Sequence, residues 1–126
     1  MTKTIIHTDH APKAVGTYSQ AIKVGNTIYV SGQIGLDPAT MTLKDGFVAQ
    51  AEQVFDNLEA IIIAGGGTLS DVVKFNVSLT DLNDFNELNA IFEKRLSAPY
   101  PARAAVQVVA LPKGAVVEIE AIVVLA

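Results

Sequence analysis

The sequence contains no cysteine. This absence excludes disulfides, thiolate metal sites and a cysteine nucleophile, and it is compatible with a reducing compartment. Positive charge is also scarce, since nine lysines and arginines stand against thirteen acidic residues, for a formal net charge of −4. Because the basic residues form no block, we expect no nucleic-acid partner.

Long hydrophobic runs are missing as well. The longest aliphatic run, residues 60–64, is far too short to span a bilayer, so we expect no membrane partner. Residues 1–7 lack the hydrophobic segment of a signal peptide, and we expect none. The expected location is the cytoplasm.

Apolar residues are nevertheless abundant. Of the 126 residues, 50% are hydrophobic and only 17% are charged, which is a high apolar share for so small a chain. The length fits one domain, residues 1–126, and leaves little room for a second. The apolar excess favours a protein that buries part of its surface against another subunit.

The spacing of the apolar residues predicts two helices, Phe47–Ala64 and Leu82–Leu96. Asp45 and Asp81 are the expected N-caps of these helices. The glycine run 65–67 ends the first helix, and the prolines that follow the second helix prevent its continuation.

Alternating polar and apolar residues, bounded by turn residues, predict five strands. The predicted strands are Tyr18–Val24, Thr27–Ser31, Val72–Leu79, Ala104–Leu111 and Val116–Leu125. Turns at Gly25-Asn26 and Lys113-Gly114 join the first pair and the last pair. The order of elements predicts an α+β fold in which two helices pack on one face of a mixed β-sheet.

The alternation also predicts which side chains face the helices. An apolar row beneath the helices comprises Val117, Ile119, Ala121, Val123 and Leu125, with Val73, Phe75, Val77 and Leu79 sharing one side of their own strand. A mixed row on the opposite face comprises Asn76, Ser78, Arg103, Gln107, Glu118 and Glu120. Because two helices cannot cover both faces, we predict a closed homo-oligomer with polar pockets at its interfaces.

Arg103 is one of two arginines, and it enters an apolar strand directly after a proline-rich turn. Two interpretations stay open from the residues alone. The side chain either bonds loop carbonyls in a structural role, or uses its planar fork to bind a carboxylate through two parallel hydrogen bonds. The other arginine, Arg95, lies late in a predicted helix and is expected to be solvated.

Glu118 lies between two aliphatic residues of the last strand, where a carboxylate needs a partner or a raised pKa. It is either half of an ion pair with Arg103 or Lys74, or an acid/base group that orients a water molecule. Glu120, two residues further on, can likewise be half of a structural ion pair.

Motifs for other chemistries are missing. His7 and His10 have no clustered ligands, so we expect no metal site. The glycine run 65–67 follows a helix and does not precede one, so it is not a phosphate-binding loop. The sequence contains no nucleophile elbow, triad motif or zincin motif.

Several segments, in their order and spacing, resemble one known family. They are Ala14–Ala21, Val30–Ile34, Lys74–Val77 with Leu82–Asn89, and Tyr100–Val106 with Leu111–Ala121. Together they cover nearly the whole chain and resemble the RidA family, also called YjgF. Because Arg103 and Glu118 are both present, the likeness is to the archetypal deaminase subfamily.

The resemblance implies a chorismate-mutase-like α+β fold and a homotrimer with ligand clefts between subunits. It implies an enzyme, a 2-iminobutanoate/2-iminopropanoate deaminase, that hydrolyses reactive enamines and imines such as 2-aminoacrylate and 2-iminobutanoate. The implied products are 2-keto acids and ammonia, and no cofactor is implied. The alternative is a regulatory module of the same fold that binds small carboxylates without significant turnover.

The resemblance also implies which residues contact the ligand. These are Tyr18, Ser31, Gly32, Asn89, Arg103 and Glu118. Arg103 would hold the substrate carboxylate, and Glu118 would position the attacking water. Many active members carry cysteine two residues after the arginine, whereas this chain has Ala105. Because the implied mechanism needs no thiol nucleophile, we still expect activity.

Overall fold

The computed structural model describes residues 2–126, so the first residue of the predicted domain lies outside the described residues. Two α-helices pack on one face of a mixed six-stranded sheet, which confirms the predicted α+β fold. The strands are β1 (Thr4–Ile6), β2 (Ala21–Val24), β3 (Thr27–Gln33), β4 (Val72–Leu79), β5 (Ala102–Gln107) and β6 (Val117–Val124). The helices are α1 (Phe47–Ala64) and α2 (Phe85–Arg95).

The strands lie in the order β1-β2-β3-β6-β4-β5. Neighbouring strands are antiparallel except β4 and β5, which run parallel and are joined through α2. β5 is therefore an edge strand, and it is joined to the rest of the sheet through β4 alone. Among residues 2–126, no helix is both long enough and apolar enough to cross a membrane.

The core lies between the helices and the sheet. Three phenylalanines meet at its centre: the rings of Phe55 in α1, Phe75 in β4 and Phe92 in α2 pack edge to face, with centroids 5.1 to 5.8 Å apart. Phe55 and Phe75 are fully buried. Aromatic pairs in this geometry stabilise a fold beyond their buried area, so the cluster holds α2 against both α1 and β4.

The first helix has the predicted bounds but not the predicted N-cap. Its N-cap is Gly46, whose φ of +85° favours glycine, and no side chain caps the helix, so the assignment of Asp45 was wrong. The predicted glycine stop is confirmed. Gly66 has φ of +94° and the Gly67 amide donates to the Ile62 carbonyl, which ends the helix in a left-handed turn.

The second predicted helix is divided into two parts. Residues Leu82–Asp84 form a 3₁₀ turn, and α2 follows it directly from Phe85 to Arg95. The cap is as predicted, since the Asp81 carboxylate accepts a hydrogen bond from the Asn83 amide at 2.9 Å. The junction places Phe85 at the first position of the α-helix.

β4 has its predicted bounds, whereas the other strands begin or end at different residues from those predicted. β1 was not predicted, Tyr18 to Gln20 lie outside β2, and β3 continues past a bulge to Gln33. β5 and β6 are each shorter than predicted at their carboxyl ends. Val73 is exposed and does not share the buried side with Phe75, because the register of β4 against β6 shifts between Val72 and Lys74.

The sheet face predicted for Arg103 and Gln107 of β5 is wrong. Arg103 is in register with the buried Phe75, and Gln107 is in register with Leu79, so both lie on the helix-covered face. The Gln107 side chain accepts a hydrogen bond from the amide of Leu82, just before α2. The alternation within β5 was correct, but on an edge strand it does not reveal which side meets the helices.

The predicted faces of Glu118 and Glu120 are confirmed. Glu118 is in register with Ser78, and Glu120 is in register with Asn76, on the face that the helices leave uncovered. This face exposes Tyr29 by 53% and Val106 by 54% of their surface. An apolar sheet face of this kind is normally covered by further protein.

Candidate functional site

The Arg103 guanidinium lies on a row of side chains from α2. Its Cζ is 5.2 Å from the centroid of the Phe85 ring and 4.9 Å from that of Phe92. Its Nη1 donates a hydrogen bond to the Asn89 Oδ1 at 2.8 Å. Residues 85, 89 and 92 share one side of α2 because they are spaced four and three residues apart.

Within residues 2–126, no carboxylate lies within ion-pair distance of Arg103. The predicted alternative of an ion pair with Glu118 is therefore not realised in the chain. An arginine has five N–H donors, and the bond to Asn89 uses one of them. Arg103 lines a cleft of about 540 Å³ together with Asn89, Phe92, Glu93, Tyr100 and Pro101, which we call the arginine cleft.

A second cleft, of about 660 Å³, is lined by the four other predicted site residues. Tyr18, Ser31, Gly32 and Glu118 all line it, and we call it the glutamate cleft. The Ser31 hydroxyl donates to the Ser19 carbonyl at 2.6 Å, which fixes the wall of the cleft beside Tyr18. Tyr18 itself is 53% exposed, and its hydroxyl accepts a weak hydrogen bond from the Val15 amide at 3.3 Å.

A β-bulge shapes the floor of the glutamate cleft. Val30 pairs with Ala121, and Gln33 pairs with Ile119. Two residues of β3, Ser31 and Gly32, therefore lie opposite one residue of β6, Glu120. A Cβ atom at Gly32 would lie 3.0 Å from the Cδ and 3.1 Å from the Oε1 of Glu118. The close approach of the Glu118 carboxyl group thus requires glycine at this position.

The environment of Glu118 changes its acidity. Burial, and secondly the neighbouring Glu120 carboxylate, raise the pKa of Glu118 above its ordinary value, because both penalise the charged form. Glu120 differs in that its Oε1 accepts a hydrogen bond from the Asn76 Nδ2 at 3.1 Å. Neither Lys74 nor Arg103 forms the predicted ion pair with Glu118 within residues 2–126. A raised pKa makes the ionised carboxylate a stronger base, which suits a group that accepts a proton from water.

Buried amides that the sequence analysis missed hold the walls of the glutamate cleft. The Asn57 Nδ2, fully buried in α1, donates to the carbonyls of Ile34 and Leu36 at 3.3 and 3.0 Å, and both of these residues line the cleft. The buried Gln20 Nε2 donates to the Pro12 carbonyl at 2.9 Å on the other side of the cleft. An amide in the apolar stripe of a helix was the available signal for Asn57.

The two clefts do not meet within one chain. Arg103 points to the helix-covered face of the sheet, with Phe75, whereas Glu118 points to the uncovered face, with Ser78. Of the six predicted site residues, Asn89 and Arg103 line the arginine cleft and the other four line the glutamate cleft. Ala105, in register with Val77, shares the side of Arg103 and packs against the core.

The donor groups that could hold a metal ion are sparse. Among residues 2–126, no three His, Asp or Glu side chains cluster in a way that could hold a metal ion. His7 lies beside Asp9, with 3.1 Å between its Nε2 and the Asp9 Oδ1, at an exposed position outside both clefts. The polar groups of the two clefts are amides, hydroxyls, a guanidinium, the amino groups of Lys13 and Lys113, and carboxyl groups, which suit a small polar organic ligand.

Comparisons with known proteins identify the family. The family model described as Endoribonuclease L-PSP matches residues 8–125. The RutC family protein y4sK of Sinorhizobium fredii is 55% identical over 119 residues, which are 94% of each chain. The human 2-iminobutanoate/2-iminopropanoate deaminase is 49% identical over 121 residues, which are 95% of this chain and 88% of that one.

A solved structure gives the same result. The crystal structure of RidA from the Antarctic bacterium Psychrobacter sp. matches with a TM-score of 0.96 and 69% sequence identity, over 97% of this chain and 99% of that chain. The chain therefore belongs to the Endoribonuclease L-PSP family, the RidA family that its sequence resembles.

Proposed function

We propose that this protein is a 2-iminobutanoate/2-iminopropanoate deaminase, which hydrolyses reactive enamines and imines to 2-keto acids and ammonia without a cofactor. The observation that carries the proposal is the Arg103 guanidinium, which has no carboxylate partner within residues 2–126 and is held by the neutral Asn89 and aromatic side chains. Such a group binds a ligand carboxylate bidentately. The 49% identity to the human deaminase over nearly the whole chain supports the same reaction class.

The arginine cleft and the glutamate cleft would form one site only in an assembly. We infer that the 126 residues act as one domain, that three copies form a closed homotrimer, and that the arginine cleft of one copy meets the glutamate cleft of the next. Three copies are what the family resemblance implies. The exposed apolar face that carries Tyr29 and Val106 supports an assembly, because covering it would remove apolar surface from water.

In the assembled cleft, Arg103 and the Nδ2 of Asn89 would hold the substrate carboxylate. The enamine first becomes the imine by gaining a proton on carbon and losing one from nitrogen, and the imine carbon is then electrophilic. Glu118, in its ionised form, accepts a proton from a water molecule as the water oxygen bonds to that carbon. The protonated Glu118 returns that proton to nitrogen, which gives a neutral carbinolamine. The carbinolamine hydroxyl proton then passes through Glu118 to the same nitrogen as the carbon–nitrogen bond breaks, so that the 2-keto acid and ammonia leave.

Positioning supplies most of the rate in this scheme. Holding the carboxylate and the water in one geometry replaces a bimolecular encounter with an effectively unimolecular step. The raised pKa of Glu118 suits the first proton transfer, because a carboxylate with a higher pKa is a stronger base.

The direct test generates 2-aminoacrylate in place with a pyridoxal-phosphate-dependent serine dehydratase and follows ammonia and pyruvate. The protein is expected to accelerate release of both products above the spontaneous rate, and Arg103→Ala is expected to abolish the acceleration. Tight binding of 2-oxobutanoate with turnover at the spontaneous rate would instead support a regulatory carboxylate-binding module.

We further propose that the natural ligand is a small molecule and not RNA, although the family description refers to an endoribonuclease. The formal net charge of −4 disfavours the phosphate backbone. A filter-binding titration with single-stranded RNA is expected to show no salt-sensitive affinity. An affinity that falls steeply with added salt would contradict this part of the proposal.

A further inference from the structure

The contacts of Arg103 are all with neutral groups in the described chain. The Phe85 and Phe92 rings lie below its guanidinium at 5.2 and 4.9 Å, and Asn89 accepts one hydrogen bond at 2.8 Å. Aromatic rings attract a cation through their negative faces without cancelling its charge. The guanidinium is therefore restrained while its full charge and most of its donors remain available for an anion.

Such restraint matters because of where Arg103 lies. β5 is an edge strand, and a half-exposed arginine on an edge strand has many rotamers of similar energy. Binding a carboxylate bidentately fixes one orientation of the guanidinium plane, and ordering a free side chain at that moment weakens binding. A side chain that is already ordered avoids this loss.

The two aromatic rings differ in what else they do. Phe92 is largely buried and packs edge to face against Phe55 and Phe75, so it belongs to the core. Phe85 is only partly buried and is absent from that cluster. The 3₁₀ turn Leu82–Asp84, capped by Asp81, ends at Phe85 and directs the start of α2.

We propose that Phe85 is a positioning residue of the site: its ring holds the Arg103 guanidinium in the orientation that binds a substrate carboxylate. The inference rests on the proposed function, because it assigns to Arg103 a carboxylate ligand. Phe85 acts through Arg103 and does not touch the reacting atoms. Removing its ring should therefore weaken carboxylate binding and leave the chemical step nearly unchanged.

The experiment compares wild type with Phe85→Leu and Phe85→Tyr. KM and kcat are measured in the dehydratase-coupled assay, and the Kd of 2-oxobutanoate is measured by calorimetry without any turnover. Phe85→Leu is expected to raise KM and Kd about five- to tenfold, with kcat within about twofold of wild type, because one cation–π contact is lost. Phe85→Tyr keeps the ring and is expected to restore both constants.

Phe47→Leu is the matched control. Phe47 is the first residue of α1, as Phe85 is of α2, and it is also partly buried against the core. Unlike Phe85, it makes no cation–π contact with Arg103 among residues 2–126, so its loss should lower the melting temperature and leave KM and Kd unchanged. If Phe85→Leu does not fold, Phe85→Met fills similar volume without a ring and replaces it.

The outcomes separate this inference from the proposed function. The role of Phe85 is overturned if Phe85→Leu has the KM and Kd of wild type. It is also overturned if KM and Kd rise equally in Phe85→Leu and Phe85→Tyr. A wild-type protein that binds 2-oxobutanoate without turnover overturns the deaminase, while the Kd comparison still decides on Phe85. A wild-type protein that neither binds nor turns over overturns both.

Discussion

Arg103 and Glu118 point away from opposite faces of the same sheet. Arg103 is in register with Phe75 beneath the helices, and Glu118 is in register with Ser78 on the uncovered face. Each residue lines its own cleft, and neither cleft contains both Arg103 and Glu118. This separation is the reason for proposing a site shared between subunits.

Gly32→Ala should impair catalysis more than folding. The new Cβ would lie 3.0 Å from the Cδ of Glu118, so the carboxyl group must move by a few tenths of an ångström. Because a small displacement of a catalytic group is costly, kcat/KM in the coupled assay is expected to fall about tenfold. The melting temperature should change little, since the displaced group is the mobile end of a side chain. Unchanged kcat/KM in a folded variant would remove Glu118 from the reaction.

Glu120→Gln should shift the pH dependence of activity. The Glu120 carboxylate is the second cause of the raised pKa of Glu118, after burial. Without that charge the pKa of Glu118 falls, so the acidic limb of the kcat/KM profile is expected to move to lower pH. An acidic limb that stays in place, or that moves to higher pH, would contradict the assignment of Glu118 as the base.

The same raised pKa predicts how stability varies with pH. The folded protein keeps a proton on Glu118 at pH values where the unfolded chain has lost it, so folding becomes less favourable as pH rises through that window. The window lies between the ordinary glutamate pKa and the raised value. Glu118→Gln removes this loss, and its melting temperature is expected to gain on that of wild type as pH increases through the window. A constant difference would show that the pKa of Glu118 is ordinary in the folded state.

Asn57→Leu should destabilise the fold at the wall of the glutamate cleft. It leaves the Ile34 and Leu36 carbonyls without their partner, at a cost of about 2 kcal/mol in the free energy of unfolding. Urea denaturation measures this loss. Gln53→Leu is the matched control, because the Gln53 side chain bonds only to Asn57 among residues 2–126, at 2.8 Å, and its loss should cost less. Equal losses in the two variants would show that the carbonyl contacts are unimportant.

The sequence pattern predicts most of the fold because its signals are local. The bounds of α1 and β4, the Asp81 cap and the glycine stop all follow from periodicity and backbone preferences of a few residues. β1 has only three residues, two of them exposed, so it carries too short a pattern to be recognised. Asp45 was predicted as the cap of α1 because of its residue type. The cap is Gly46 instead, through a backbone conformation that the residue type of Asp45 does not indicate.

The site is less predictable because it depends on register and assembly. The family resemblance selects Tyr18, Ser31, Gly32, Asn89, Arg103 and Glu118. The face of Arg103 follows from the parallel register of β5 on β4, which alternation in an edge strand does not encode. The aromatic support from Phe85 appears only when the 3₁₀ turn places that ring beneath the strand.

Complementation between two inactive variants tests the central proposal of a shared site most directly. Arg103→Ala and Glu118→Gln are co-expressed with different tags, and the mixed trimers are purified through both tags. In every mixed trimer one cleft pairs an intact Arg103 with an intact Glu118, so about a third of the wild-type deaminase activity is expected. Mixed trimers that are as inactive as either variant alone would contradict the account, because the two residues would then not act together across a subunit boundary.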